Sequence, residues 1–133
     1  MHFCLLDRVV DRSETGIVTV KAVSAAEEYL QDHFAGFPVL PGVFMLEAMV
    51  QAARAWLGER DGASARYVLG EVRALKYASF VRPGEVLRCD VTLFKENEAS
   101  GEATFKGEAT VERDTERVTC ASGRFTMRGM RVE

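Results

Sequence analysis

His33, Glu47 and Gln51 are the residues in this chain whose types and spacing could do chemistry. His33 is one of only two histidines. It sits in a Gly/Pro-punctuated stretch, His33-Phe34-Ala35-Gly36-Phe37-Pro38-Val39-Leu40-Pro41-Gly42, that runs directly into an apolar segment. From Val43 to Ala53 the only polar residues of that segment are Glu47 and Gln51. A carboxyl group among apolar neighbours must be hydrogen-bonded, protonated or functional, because an unpaired buried carboxylate is costly. If the segment is helical, Gln51 lies at i+4 from Glu47 on one face and its amide can hold the carboxyl in one orientation. The first N–H groups of such a helix, at Gly42 and Val43, have no intrahelical acceptor and would meet a developing negative charge. A base candidate, an acid candidate and an oxyanion donor thus come from one short segment. Taken alone, a histidine before a helix is more often structural than catalytic, and Gln51 could satisfy Glu47 with no chemistry involved.

The elements that must position these groups follow from pattern. Extended structure is favoured before Pro41, so the helix is expected to begin at Gly42 or Val43, and Gly58 after Leu57 reads as its C-cap. A helix that is apolar on nearly every side belongs inside a protein, and its stripe Val43, Leu46, Met49, Val50, Ala53 and Trp56 reads as core. Ile17 to Val23 reads as a strand. Ser24-Ala25-Ala26-Glu27 reads as a capping box opening a short helix to about Gln31. Residues 59–65 read as a polar loop. Beyond them the period becomes two: Leu87, Cys89, Val91 and Leu93 alternate with Arg88, Asp90 and Thr92. In Glu102 to Glu112, Ala103, Phe105, Ala109 and Val111 face one way and polar residues the other, as in half-exposed antiparallel strands. Asn97 to Gly101 reads as the hairpin turn between them. A last strand, Arg117 to Met127, slips phase at Cys120-Ala121 and predicts a bulge. One apolar helix with five or six mostly antiparallel strands is an α+β pattern, and a sheet wrapped around the helix buries both.

At 133 residues the chain reads as a single domain, 1–133, with 47% hydrophobic and 28% charged residues, an ordinary globular composition. The net charge of −3 gives no sign of nucleic-acid binding. No stretch approaches the ~20 apolar residues of a membrane span, and the apolar run at the N-terminus is too short for a signal peptide before it meets Asp7 and Arg8. Cys4, Cys89 and Cys120 are an odd number without metal-ligand spacing. They read as reduced core thiols of a cytoplasmic protein. No cluster of ligand types calls for a metal or an organic cofactor.

The run HFAGFPVLPGVFMLEAMVQ, residues 33–51, resembles the signature of the β-hydroxyacyl-acyl carrier protein dehydratases (FabZ/FabA type). The match rests on His33, Phe34, Gly36, Pro38, Pro41, Gly42, Val43, Glu47, Ala48 and Gln51. Glu rather than Asp at position 47 is similar to the FabZ branch. Leu5-Leu6-Asp7-Arg8-Val9 resembles the opening strand of the family. Gly70 to Glu85, with Lys76-Tyr77 and Arg82-Pro83-Gly84-Glu85, resembles a later block. Ala35 departs from the proline usual after His-Phe. Lys76 stands where Arg is common, and the connection from Gly58 to Tyr67 is short.

The resemblance implies a hot-dog fold, an antiparallel sheet wrapped around a long central helix, and a homodimer that can associate further as a trimer of dimers. The histidine of one subunit would face the acid of the other. It implies dehydration of a (3R)-hydroxyacyl-acyl carrier protein to the trans-2-enoyl thioester. His33 and Glu47 would be catalytic, Gly42 and Val43 would face the thioester oxygen, and Gln51 would orient the acid. No cofactor is implied. The acidic carrier protein would dock on a basic patch, with Arg54, Lys76, Arg82 and Arg128 as candidates. Two other hot-dog readings stand beside it: an acyl thioesterase, and a non-catalytic acyl-binding protein.

Overall fold

The computed structural model describes residues 4–24, 40–62 and 66–129. His33, most of its loop, and the short helix expected up to Gln31 lie outside the described residues. The elements run β1 (Arg8–Arg12), β2 (Gly16–Ala22), α1 (Gly42–Asp61), β3 (Tyr67–Tyr77), β4 (Val86–Asn97), β5 (Glu102–Arg113) and β6 (Glu116–Gly129). The strands form one six-stranded sheet in the order β1-β2-β4-β5-β6-β3, with every neighbouring pair antiparallel. The α+β class and the single long helix agree with the sequence pattern.

The period-two runs become strands as their alternation demands. In β4, Leu87, Cys89 and Val91 are buried, and in β5 Ala103, Phe105, Ala109 and Val111 are buried, all under α1. The bulge expected in the last strand is present. Ala109 pairs with Ala121 but Thr110 pairs with Thr119, so Cys120 is the extra residue of β6. Thr110, expected on the open face, is buried beside this irregularity.

The helix is held against the sheet by aromatic and small residues together. Phe105 and Phe125, paired across β5 and β6, stack with ring centroids 5.7 Å apart, and Trp56 meets Phe105 edge-on at 5.8 Å. Each such ring withdrawn from water contributes about 1.5–3 kcal/mol. Trp56 also ties α1 to the β1–β2 turn: its indole N–H donates to the Ser13 carbonyl at 3.0 Å, and Arg12 donates to the Trp56 carbonyl at 2.8 Å. One step along the same sheet face Gly107 pairs with Gly123. A Cβ on Gly107 would lie 2.6 Å from Met49 Sδ, so the missing side chain is what lets α1 approach the sheet.

Three expectations are corrected. The helix does not stop at Gly58 but continues to Asp61 and is closed by Gly62, whose φ of 99° and N–H to the Gly58 carbonyl form the cap. The last turn is held because Arg60 forms ion pairs with Asp61 and Glu96 and stacks 4.9 Å over the Trp56 ring. The stripe read as core is not wholly so: Val43 is 60% exposed and Leu46 half-buried, as are Phe44, Glu47 and Gln51. One curved sheet covers only the face carrying Met45, Ala48, Met49, Ala52, Ala53 and Trp56. Cys4 is exposed, whereas Cys89 and Cys120 are core thiols, and all three are free. Strand β3 was not visible as a period at all. It lies at the sheet edge, is mostly exposed, and shifts register twice, with Ala74 at φ 53° inside the second shift. Among the described residues no helix is long and apolar enough to cross a membrane.

Candidate active site

Helix α1 starts where the Pro41-Gly42 dipeptide turns the chain. Pro41 is the N-cap residue, at φ −56° and ψ 136°, and no side chain caps the first turn. No acidic residue occupies that turn either. Gly42 is packed against the Tyr77 ring. A Cβ there would lie 3.1 Å from Cε1 and 3.2 Å from Cδ1, tighter than ordinary contact. The glycine thus allows the wall formed by Tyr77 to stand directly beside the backbone N–H groups of the helix start.

Those groups open onto a cleft of about 610 Å³. Leu40, Gly42, Val43 and Met45 line one side, and Tyr77, Ala78, Ser79 and Phe80 the other. Its surface is largely apolar, and Val43, Tyr77 and Phe80 are 60%, 50% and 55% exposed. Burial of the Tyr77 ring pushes its phenol above the usual tyrosine range, so it stays neutral at physiological pH. A mostly apolar cleft with backbone donors at one end suits a ligand with an apolar chain and a polar carbonyl head.

One turn after Val43, Glu47 projects from the half-buried face of α1. Gln51 follows at i+4, and its Nε2 donates to Glu47 Oε1 at 3.4 Å. The Gln51 carbonyl oxygen accepts the Leu5 backbone N–H at 2.8 Å. The amide is therefore fixed at its oxygen end by the N-terminal segment and presents its NH₂ to the carboxyl. The contact falls at the i+4 spacing read from the sequence, and Leu5 is a partner that spacing could not reveal. Glu47 does not itself line the cleft of its own chain.

The basic residues divide. Lys76 ends β3 beside Tyr77, and Arg82 lies in the loop that continues the cleft wall. Arg54 donates to the Tyr67 carbonyl at 3.3 Å, and Arg128 pairs with Val68, so both lie at the opposite end of β3 from Tyr77. The sequence also gave no role to Tyr77, Ser79 or Phe80. Their run lacks alternation because it leaves an edge strand for a loop, and only its neighbourhood to Pro83-Gly84 marked it.

The FabA-like domain model matches residues 1–122. The chain belongs to the FabA-like family. Among curated relatives, a "3-hydroxyacyl-[acyl-carrier-protein] dehydratase FabZ" of Lactobacillus helveticus is 36% identical over 80% of this chain and 69% of its own. The FabZ of Magnetococcus marinus is 36% identical over 88% and 82% respectively. Among solved structures, the dehydratase heterocomplex ApeI:P from Xenorhabdus doucetiae superposes with TM-score 0.78 at 24% identity, covering 96% of this chain and 84% of that one. A hexameric thioesterase from Yersinia pestis superposes with TM-score 0.69 at 17% identity, covering 91% and 92%. This FabA-like chain therefore has the hot-dog fold, which dehydratases and thioesterases share, so the fold alone does not choose between their chemistries.

Proposed function

We propose that this FabA-like chain is a 3-hydroxyacyl-[acyl-carrier-protein] dehydratase acting in fatty-acid or related acyl-chain synthesis, with residues 1–133 working as one domain in the cytoplasm. The observation that carries the reading is the single helix α1, which presents uncapped N–H groups to an apolar cleft and, one turn on, the Glu47–Gln51 pair.

In this reading the acyl chain lies along Val43, Tyr77 and Phe80, and the thioester oxygen meets the Gly42 and Val43 N–H groups. His33 removes a proton from C2, and the oxygen gains negative charge beside the helix N-terminus. As the C2–C3 double bond forms, the C3–O bond breaks and Glu47 gives the departing hydroxyl a proton, so that it leaves as water. Gln51 holds the acid in line.

The separation of Glu47 from the cleft of its own chain supports a site shared between two protomers, His33 of one facing Glu47 of the other. Edge strand β3, with Val68 and Leu69 exposed, offers free backbone groups for continuing the sheet into a second copy. Carrier docking is assigned first to Arg82, in the loop that continues the cleft wall, and second to Lys76, on the outer face of the sheet beside Ser122 and Glu108, and to Arg54 and Arg128.

The test is absorbance in the enoyl-thioester band with 3-hydroxybutyryl-carrier protein, run beside His33→Ala and Glu47→Gln. Enoyl product from the wild type and losses of about 10²-fold or more in both folded variants are expected. Release of free thiol without enoyl product would instead make the chain a thioesterase.

A further inference from the structure

The wall of the cleft is held from behind by an ion pair with no part in the reaction scheme. Arg113, at the end of β5, reaches across the loop between β3 and β4. Its Nε donates to Glu85 Oε2 at 2.6 Å and its Nη2 to Glu85 Oε1 at 2.8 Å. The same guanidinium donates to Ser79 Oγ at 3.0 Å and to the Phe80 carbonyl. Glu85 Oε1 also accepts the Arg82 N–H at 2.8 Å. The pair is largely withdrawn from water, with the side chains of Arg113 and Glu85 27% and 17% exposed.

Backbone bonds also tie the loop at its ends. The Ala78 N–H donates to the Cys120 carbonyl at 2.8 Å, Leu40 to Val81 at 2.8 Å, and Gly84 to Val23 at 2.7 Å. These bonds fix both ends of the loop whether or not Arg113 is present. What the guanidinium adds falls on Ser79 and Phe80, the two loop residues that face the cleft beyond Ala78. A planar fork with several fixed donors is suited to holding a carboxylate, a hydroxyl and a carbonyl in one arrangement, which a lysine cannot reproduce.

We propose that Arg113 and Glu85 form a clasp that sets the position of the Phe80 wall and thereby the grip of the cleft on the distal part of the acyl chain. The clasp rests on the dehydratase reading for the identity of the chain it grips. Arg113 and Glu85 are positioning residues, because neither lines the cleft. Their loss leaves the helix N-terminus and Gly42 in place, so the thioester end of a ligand should be held as before. The signature is therefore selectivity for chain length rather than a general loss.

The experiment is calorimetric titration of wild type, Arg113→Lys, Glu85→Gln and Phe80→Ala with two acyl-pantetheine analogues, of four and ten acyl carbons. In both analogues a methylene replaces the thioester sulfur and the acyl chain carries no 3-hydroxyl, so neither can be hydrolysed or dehydrated. All three variants should bind the ten-carbon analogue roughly tenfold more weakly, the scale of losing one or two methylene contacts. In Arg113→Lys and Glu85→Gln, binding of the four-carbon analogue should stay within about twofold of wild type. Equal weakening for both analogues, an unchanged ten-carbon affinity, or a wild type that binds neither would overturn the clasp. Should Arg113→Lys fail to fold, Glu85→Gln carries the same decision. Binding is read separately from turnover, so a wild type that shows this selectivity but forms no enoyl product would keep the clasp and remove the dehydratase.

Discussion

Replacing Gln51 separates the structural part of the Glu47 pair from its catalytic part. In Gln51→Leu, the Leu5 N–H loses its acceptor at 2.8 Å while Leu5 itself stays 1% exposed. An orphaned buried donor costs about 1–3 kcal/mol. Gln51 is only half-buried, and the new leucine adds some apolar burial, so a net loss near the lower end, about 1–2 kcal/mol, is expected. For a domain of this size that lowers Tm by roughly 4–8 °C. The 3.4 Å contact to Glu47 is long for a hydrogen bond to a carboxylate, so its loss should slow turnover by no more than about tenfold. Glu47→Gln, which removes the acid itself, should cost about 10²-fold or more. Gln51→Glu sharpens the comparison, since a carboxylate still accepts from Leu5 but can no longer donate to Glu47. It also sets a second carboxyl at i+4 from Glu47, so it should recover only part of the Tm while the rate still falls by up to about tenfold. Thermal unfolding by circular dichroism and initial rates at saturating carrier-bound substrate read the two effects independently. The reasoning fails if Gln51→Leu leaves both Tm and rate unchanged, or if it is as inactive as Glu47→Gln.

Other outcomes follow from features away from that pair. Gly107→Ala places a methyl group 2.6 Å from Met49 Sδ and 3.2 Å from the Phe125 ring, and overpacking of this kind should cost about 1–3 kcal/mol by denaturant unfolding. Adding Met49→Ala should give a double variant less destabilised than the sum of the two single changes. The hydrogen bonds from Arg113 hold the Glu85 carboxyl below its ordinary value of 4.5. Its contribution to stability is complete above that value and is lost as pH falls through the lowered one, so Glu85→Gln should flatten the acid limb of a stability-against-pH curve. Burial pushes the Cys89 thiol up to about 12 and raises Cys120 as well, whereas Cys4 is exposed. Native protein should therefore show one rapidly alkylated thiol and denatured protein three, counted by intact mass.

What the sequence made legible was whatever short-range pattern dictates. Strands β4 and β5 followed from Leu87-Cys89-Val91 and Ala103-Phe105, and the start of α1 from Pro41-Gly42. Gly58 misled because a glycine marks a helix end only when the chain takes a left-handed turn there, and it is Gly62 that does so. Strand β3 was hidden because an edge strand with two register shifts buries no regular face. Of the candidate site, Gly42, Glu47 and Gln51 were readable because one helix carries all three. Leu5, Phe80, Glu85 and Arg113 were not, since each meets its partner across a long stretch of chain. The exposure of Val43 follows from the cleft, a feature that no single helix pattern encodes.

The path of the chain through the sheet also implies an order in time. Strands β4, β5 and β6 are consecutive and joined by tight turns, so their pairing needs only local closure. Strand β2 reaches β4 only after everything between Val23 and Glu85 has been looped out, and the bonds of Val23 to Gly84 and Glu85 are the seam of that closure. Long-range closure is the slow and late step in folding. The cleft wall belongs to the loop that ends at that seam, so the pocket should be absent from the folding transition state and complete only in the native protein. An occupant of the pocket would then slow unfolding without hastening refolding. Stopped-flow kinetics with the ten-carbon analogue should move only the unfolding limb, and an accelerated refolding limb would show that the pocket forms early.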